Sequence, residues 1–348
     1  MHQTNSTPRQ DAEERLGHLL DRTMTIDVSG RGAVNVLYDA VRKATAAPLS
    51  MNAARILADT LRAGDVAVLA TGFPVRPWVS PAIGETDGPP GVAALARALS
   101  MGLAVIPVVT TPAAMAAQIR DSLVASGVLI LSLEEARRAV TMPDRPTCAA
   151  VVVERPTGAP PDDDAETFFS LYKPKILAAL EHPGANKAGI YNTSLGIDIS
   201  EGVARGEHLF ALARLRGIPT LSFIDNANEI GAGSLPEDAL VRIARSEIMA
   251  ASSRVDDLVV ATTANWAAYG TVAALSVLLS RPDILVSRGR DAAAIAAVMR
   301  AGGVEGVSGS INPEDGVDAI PTEISGHIVD LLAEIARNHV VTQTRGSF

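Results

Sequence analysis

From residue 64 onward, short runs of β-branched and aliphatic residues alternate with longer Ala- and Leu-rich stretches whose apolar positions recur at helical spacing. A chain written this way has few solutions, because each run must bury both faces under helices that the same chain supplies. The runs at 66–70, 104–109, 128–131, 149–153, 218–224 and 258–261 are the expected strands. Between and after them, 91–101, 112–125, 133–140, 166–180, 206–216, 236–250 and 265–279 read as helices. Connections this regular favour right-handed crossovers. The expectation is an α/β fold: a largely parallel sheet flanked by helices, with an N-terminal helical segment. That segment, 1–63, holds helices at 11–20, 33–46 and 51–61 packed on a main domain at 64–340. The C-terminal part adds a strand-like run at 284–286 and helices at 292–300 and 321–338. No Gly/Ser- or Pro-rich linker long enough to separate domains appears.

Composition narrows the function classes. With 47% hydrophobic and 20% charged residues and a mean hydropathy of +0.21, the chain is globular rather than disordered. Thirty Lys and Arg against 39 Asp and Glu leave a net charge of −9 and no basic patch, so neither nucleic acid nor an anionic membrane is an expected partner. The apolar stretches fall short of the ~18 residues that span a bilayer. Cys148 has no second cysteine to pair with, and the charged start from Thr7 to Arg15 is unlike a signal peptide, so the expected location is cytoplasmic. The expected ligand is a small amino or carboxylic acid; a homo-oligomer is left open.

In an open α/β sheet, ligands bind beyond the carboxyl ends of the strands. After the first strand comes Thr71-Gly72-Phe73-Pro74-Val75, then a stiff loop, Gly84-Glu85-Thr86-Asp87-Gly88-Pro89-Pro90, and the helix-opening Gly91. The helix N-terminus there suits an anionic group; equally, Asp87 could simply cap it. The fourth strand ends in Glu154-Arg155. Arg155 suits a substrate carboxylate and Glu154 acid or base work, with a mutual salt bridge at the sheet rim as the competing reading. The segment from Lys187 to Ser200, with Tyr191 and Asp198, is either a ligand loop or an exposed polar one. The densest run is Ile224-Asp225-Asn226-Ala227-Asn228-Glu229-Ile230-Gly231-Ala232-Gly233. If 225–229 form one helical turn, Asp225 and Glu229 face the same side, where they can hold a hard divalent ion or act as an acid/base pair. Asx-turn and capping chemistry is the alternative.

Other signatures fail. Gly231-Ala232-Gly233 and Gly30-Arg31-Gly32 open like dinucleotide fingerprints but lack the final glycine. There is no Walker A sequence, the six histidines show no zinc-ligand spacing, and no nucleophile elbow surrounds Ser194 or Ser222.

Together these segments resemble the D-glutamate cyclase family. The matching stretches are Ala70 to Val75, Glu85 to Gly91, Val153 to Pro156, Ala188 to Tyr191 with Gly196 to Ile199, and Asn228 to Gly231. They continue with Thr263-Ala264-Asn265-Trp266 and Tyr269, Gly303 to Gly309, and Asp315 to Asp318, in family order from about residue 64 to 335. Where the family's loop looks like Gly-Asp-Gly-Gly-Asn-Glu-Ile-Gly-Met-Gly, this chain keeps the acids and loses two glycines and a methionine. Around Asn192 to Leu195 it also departs from the family's Met- and Arg-containing run, so a cationic contact expected there is not visible.

The resemblance implies a lyase that dehydrates D-glutamate to 5-oxo-D-proline. Asp225, Glu229 and Glu154 are then the expected catalytic groups. Thr71, Gly72, Glu85, Asp87, Gly88, Arg155, Tyr191, Asp198, Asn226, Asn228 and Asn265 are the expected substrate contacts. Asp225 and Glu229 are the candidate ligands of a divalent ion, Mn or Mg. A related lyase or hydrolase acting on another amino acid or lactam, a non-catalytic amino-acid-binding module and a nucleotide-dependent enzyme are the competing classes, the last disfavoured by the failed phosphate motifs.

Overall fold

A computed structural model describes residues 8–142, 144–158 and 165–345; residues 1–7 of the N-terminal segment, Thr7 among them, lie outside the described residues. Three helices come first: α1 (Pro8–Met24), α2 (Ala33–Ala44) and α3 (Leu49–Thr60). Strands and helices then alternate as β1 (Val66–Ala70), α4 (Pro89–Leu103), β2 (Ile106–Pro112), α5 (Ala116–Ala125), β3 (Leu129–Ile130), α6 (Leu133–Thr141) and β4 (Ala149–Arg155). They continue as α7 (Ala165–Tyr172), β5 (Pro174–Leu180), α8 (Glu207–Leu215), β6 (Thr220–Ile224), the single turns α9 (Glu237–Leu240) and α10 (Ser246–Met249), and β7 (Asp257–Val260). Three helices close the chain: α11 (Ala264–Leu278), α12 (Arg288–Arg300) and α13 (Thr322–Arg345).

All seven strands are parallel, in the order β3-β4-β2-β1-β5-β6-β7. The chain therefore works outward from β1 to one edge, returns across it to β5, and finishes at the other edge. With right-handed crossovers, that reversal puts α4 and α5, which pack together, on one face and α7 and α8 on the other. Strands β1, β2 and β6 are buried along their whole length, as continuous apolar runs require.

The segment read as one helix over 166–180 is in fact α7 followed by β5. Pro174 has no N–H to continue the helix and disfavours a helical residue before it; Lys173 turns with φ 48°. The next residues, Ile176 to Leu180, become the fully buried strand between β1 and β6. Likewise 236–250 is two single turns, interrupted where Arg245 adopts φ 62°. Among the described residues the run at 284–286 pairs with no strand; Pro282–Ile284 is a 3-10 turn that buries Ile284 near α4 and α11.

The N-terminal helices share the core of the sheet: Leu16, Leu20, Met24, Leu37, Leu49 and Leu57 belong to the same continuous cluster as the strands. Buried Asp21 of α1 ties them together. Its carboxylate accepts from the Leu49 and Ser50 amides at 2.7 and 3.0 Å, capping α3 from outside, and from the Ser50 and Tyr38 hydroxyls. Among the described residues no helix is long and apolar enough to cross a membrane.

Candidate functional site

The strand order reverses between β1 and β5, and a crevice at such a switch point is where α/β sheets place ligands. A cleft of about 260 Å³ opens beside it, lined among others by Arg31, Glu85, Glu181, Asp225, Asn228 and Asp318. Glu181 directly follows β5 and Asp225 directly follows β6, so adjacent strands deliver both carboxylates to one rim. With Glu85, Asp87, Glu229 and Asp318 they form a cluster of six carboxyl groups.

Each is fixed by its own local chemistry. Asp87 accepts from the Gly88 and Asn265 amides at 3.0 and 2.8 Å through Oδ1, and from the Ala264 amide at 2.7 Å through Oδ2. With Thr263, which accepts from the Trp266 amide, it caps α11 rather than its own helix. Asn265 answers across the gap: its Oδ1 accepts from the Gly88 and Gly91 amides, and its Nδ2 donates to the Thr86 carbonyl. The anion site expected at the start of α4 is therefore closed. Pro89 and Pro90 have no N–H, and the flanking glycine amides are already bonded.

The loop after β6 is not a helical turn. Glu229 Oε1 accepts from the Asp225 and Asn226 amides at 3.3 and 3.0 Å, and Asn226 Oδ1 takes the Ala227 amide. Side chains thus replace the i to i−4 ladder. The loop folds back instead, with the Ile230 amide on the His182 carbonyl and the Gly184 amide on that of Asn228. Asp225 and Glu229 still meet, by this tighter route. Opposite them, Asp318 and Ala319 both sit in the left-handed region, φ 56° and 61°, held there by Glu305, which accepts from the Ala319 and Val307 amides. Strain of this kind persists only where the surroundings fix it. Gly88, at φ 92°, lets the loop pass over β1 and β5: a Cβ there would lie 2.6 Å from Thr71 Oγ1 and 2.8 Å from Glu181 Cβ.

Burial raises the pKa of all six, and neighbouring carboxylates raise most of them further. Asp87 is pushed up to about 7. Glu85, Glu181, Asp225 and Asp318 go well above their ordinary range; Glu229 rises less, because the Asp225 carboxyl and backbone amides favour its charged form. Arg31 opposes this charge, with Nη2 2.6 Å from the Asp318 carbonyl and 3.3 Å from its Oδ2, and Nη1 3.9 Å from Asp225 Oδ2.

Two carboxylate triads share Asp225, their oxygens within 4.8 Å of one another: Asp87-Asp225-Asp318 and Glu181-Asp225-Glu229. The first is balanced by Arg31 and by the amides on Asp87. In the second, among the described residues, no hydrogen-bond donor reaches Glu181 Oε2 or Glu229 Oε2, and the nearby Asn228 Oδ1 is an equally bare acceptor. Buried oxygen acceptors without donors fit a hard divalent cation, so Glu181 joins the two ligands expected from sequence.

Of the other expected residues, Asn226 and Asn228 line the cleft, whereas Thr71 lies against Gly88 and Gly72 against Thr111 and Pro112, outside the lining. Four others do not converge on it. Glu154 is exposed and paired with Arg120 at 3.0 Å. Arg155 points to His208 and packs over the Phe168 ring. Tyr191 donates to Glu207, and exposed Asp198 accepts from the Ser200 amide. Sequence reasoning missed Glu181, hidden behind a strand read as helix, Asp318, quoted only as part of a motif, and Arg31, weighed only as a nucleotide fingerprint.

Comparison with known proteins agrees with the resemblance. The D-glutamate cyclase-like, C-terminal family matches residues 20–333, a span that begins inside α1 and takes in Arg31. The human mitochondrial D-glutamate cyclase is 27% identical over 265 residues, 75% of this chain and 39% of that protein. The chain thus spans about two fifths of the length of that relative.

Proposed function

The chain belongs to the D-glutamate cyclase-like, C-terminal family, and from that premise we propose that it is a lyase converting D-glutamate to 5-oxo-D-proline and water. One observation carries the reading: a carboxylate cluster at the switch point between β1 and β5, in which Glu181 and Glu229 each keep a buried oxygen without a donor. Such a nest suits the substrate ammonium and gives its protons somewhere to go.

In the reaction the α-nitrogen bonds to the side-chain carboxyl carbon and one C–O bond breaks. Nitrogen loses two protons and the departing oxygen gains two, leaving as water, so the protein needs groups that relay protons and end unchanged. Glu85 and Asp318 line the cleft, and burial among like charges keeps part of the cluster protonated near neutral pH. An ionised member takes a proton from the ammonium; a protonated one gives its proton to the departing oxygen. Asp225 faces both Glu229 and Asp318 closely enough to share a proton with either, which makes it the link between the two triads. A Mn²⁺ or Mg²⁺ held by Glu181, Asp225 and Glu229 would supply polarisation of the carboxyl oxygen.

The test is NMR of metal-stripped protein with D- or L-glutamate, with and without Mn²⁺ or Mg²⁺. The expected result is 5-oxoproline from the D-isomer, lost in Asp225→Asn. No product under any condition from folded protein would overturn the reading and direct the search to other amino acids and their lactams.

A further inference from the structure

The proton relay leaves one need of an amino dicarboxylate unmet. Its reacting carboxyl must sit among groups that donate protons, but its α-carboxylate stays ionised throughout and requires a counter-charge that does not titrate. Resting on the cyclase reading, we propose that Arg31, delivered by the N-terminal segment, is the anchor for the substrate α-carboxylate and restricts the enzyme to amino acids that carry one.

Arg31 lies between α1 and α2, far in sequence from the strand ends, yet lines the cleft with its side chain 37% exposed. Its loop is built for the reach. Asp27 accepts from the Arg31 and Gly32 amides at 3.2 and 2.8 Å, and Gly30 and Gly32 turn at φ 70° and 76° with nothing near the position of a Cβ. The two contacts with Asp318 are both through Nη2, whereas Nη1 is 3.9 Å from Asp225, beyond hydrogen-bond distance. A guanidinium has five donors in a planar fork that fits a carboxylate and stays charged at all working pH. Arg76 also lines the cleft, but it donates to the Val307 carbonyl and stacks over Trp78 at the rim.

The test is calorimetric titration of D-glutamate and of 4-aminobutyrate, which lacks the α-carboxylate, into the full chain and its Arg31→Gln, Arg31→Lys and Arg76→Gln variants. Loss of a charge-assisted pair predicts at least about tenfold weaker D-glutamate binding in Arg31→Gln. 4-Aminobutyrate should change by less than about twofold, and Arg31→Lys should recover part of the loss. Equal weakening of both ligands, unchanged D-glutamate binding, or the selective loss appearing in Arg76→Gln instead would overturn the proposal. Turnover is read separately by NMR. Arg31-dependent binding without product sinks the cyclase reading and leaves the anchor standing; product with Arg31→Gln unaffected does the reverse.

Discussion

Six carboxyl groups in one buried cluster make the metal-free protein sensitive to alkali, and the sign follows from linkage. Asp87 has its pKa raised from an ordinary 3.8 to about 7, first by burial and then by Asp318. A group raised on folding contributes stability that is complete below its unfolded pKa and disappears as pH climbs through the folded value. At 1.36 kcal/mol per unit, holding Asp87 in the fold costs about 2 kcal/mol at pH 5 and about 4 kcal/mol at pH 8, a loss of about 2–3 kcal/mol between them. Glu85, Glu181, Asp225 and Asp318 shift the same way and add to it. Urea unfolding with chelator present should therefore give a lower free energy at pH 8 than at pH 5. Glu181→Gln, which removes one buried charge, should be more stable than the parent at pH 8, by a margin that shrinks at pH 5. Added Mn²⁺ at about 100 times its dissociation constant should restore about 2.7 kcal/mol to the parent and much less to Glu181→Gln. Stability that is flat or rising from pH 5 to pH 8, in parent and variant alike, would refute the account of the cluster.

Three further outcomes follow from the same geometry. Asn265→Ala leaves the Gly91 amide and the Thr86 carbonyl buried without the Asn265 side chain as partner, while the Gly88 amide keeps Asp87, and should cost about 2–5 kcal/mol in urea unfolding; a loss under about 1 kcal/mol would mean the loop is held elsewhere. Gly88→Ala must fit a Cβ 2.6 Å from Thr71 Oγ1 at φ 92°, so it should destabilise by about 1–3 kcal/mol and displace Glu181, seen as weaker Mn²⁺ binding than in the parent. Glu154→Ala breaks only an exposed pair with Arg120; stability should move by less than about 1 kcal/mol and turnover should stay, so a large loss of activity would return Glu154 to the mechanism.

The alternation of apolar runs and helical stretches was enough to place six strands, because burial on both faces leaves a plain signature. It failed at β5 for a physical reason. Phe168, Phe169, Ile176 and Leu177 make one apolar stretch in which helix and buried strand look alike, and the single divider is Pro174. That one misreading hid Glu181, since the residue that follows an expected helix is not sought at the carboxyl end of a strand. The loop 225–229 shows the opposite case. Its pairing of Asp225 with Glu229 was legible, although the helical turn invoked for it does not form. Glu154 and Arg155 also end a strand, but two strands, β2 and β1, separate β4 from β5. Position at a strand end is therefore not sufficient; the strand must lie at the reversal, as β5 does, or beside it, as β6 does.

Arg31 and Asp318 explain why the site could not be read from the sheet alone. The carboxylates of β5 and β6 are fixed by strands, but the opposing charge comes from the α1–α2 loop, and Asp318 of the first triad from the strained turn before α13. These lie 287 residues apart and are joined by the Arg31 contact with the Asp318 carbonyl. Both ends of the chain are held in place by the same packing, α1 against α13 and α11, while Asp87 and Asn265 lock the start of α11 to the loop after β1. The N-terminal helices thus serve two ends at once. They complete the apolar core that offsets the cost of six buried carboxyl groups, and they carry the guanidinium that keeps one of the two triads from repelling itself. A chain trimmed before residue 33 would retain the sequence of every strand and all six carboxylates, yet lose Asp21, Arg31 and the α1 side chains Leu16, Leu20 and Met24 from the core together.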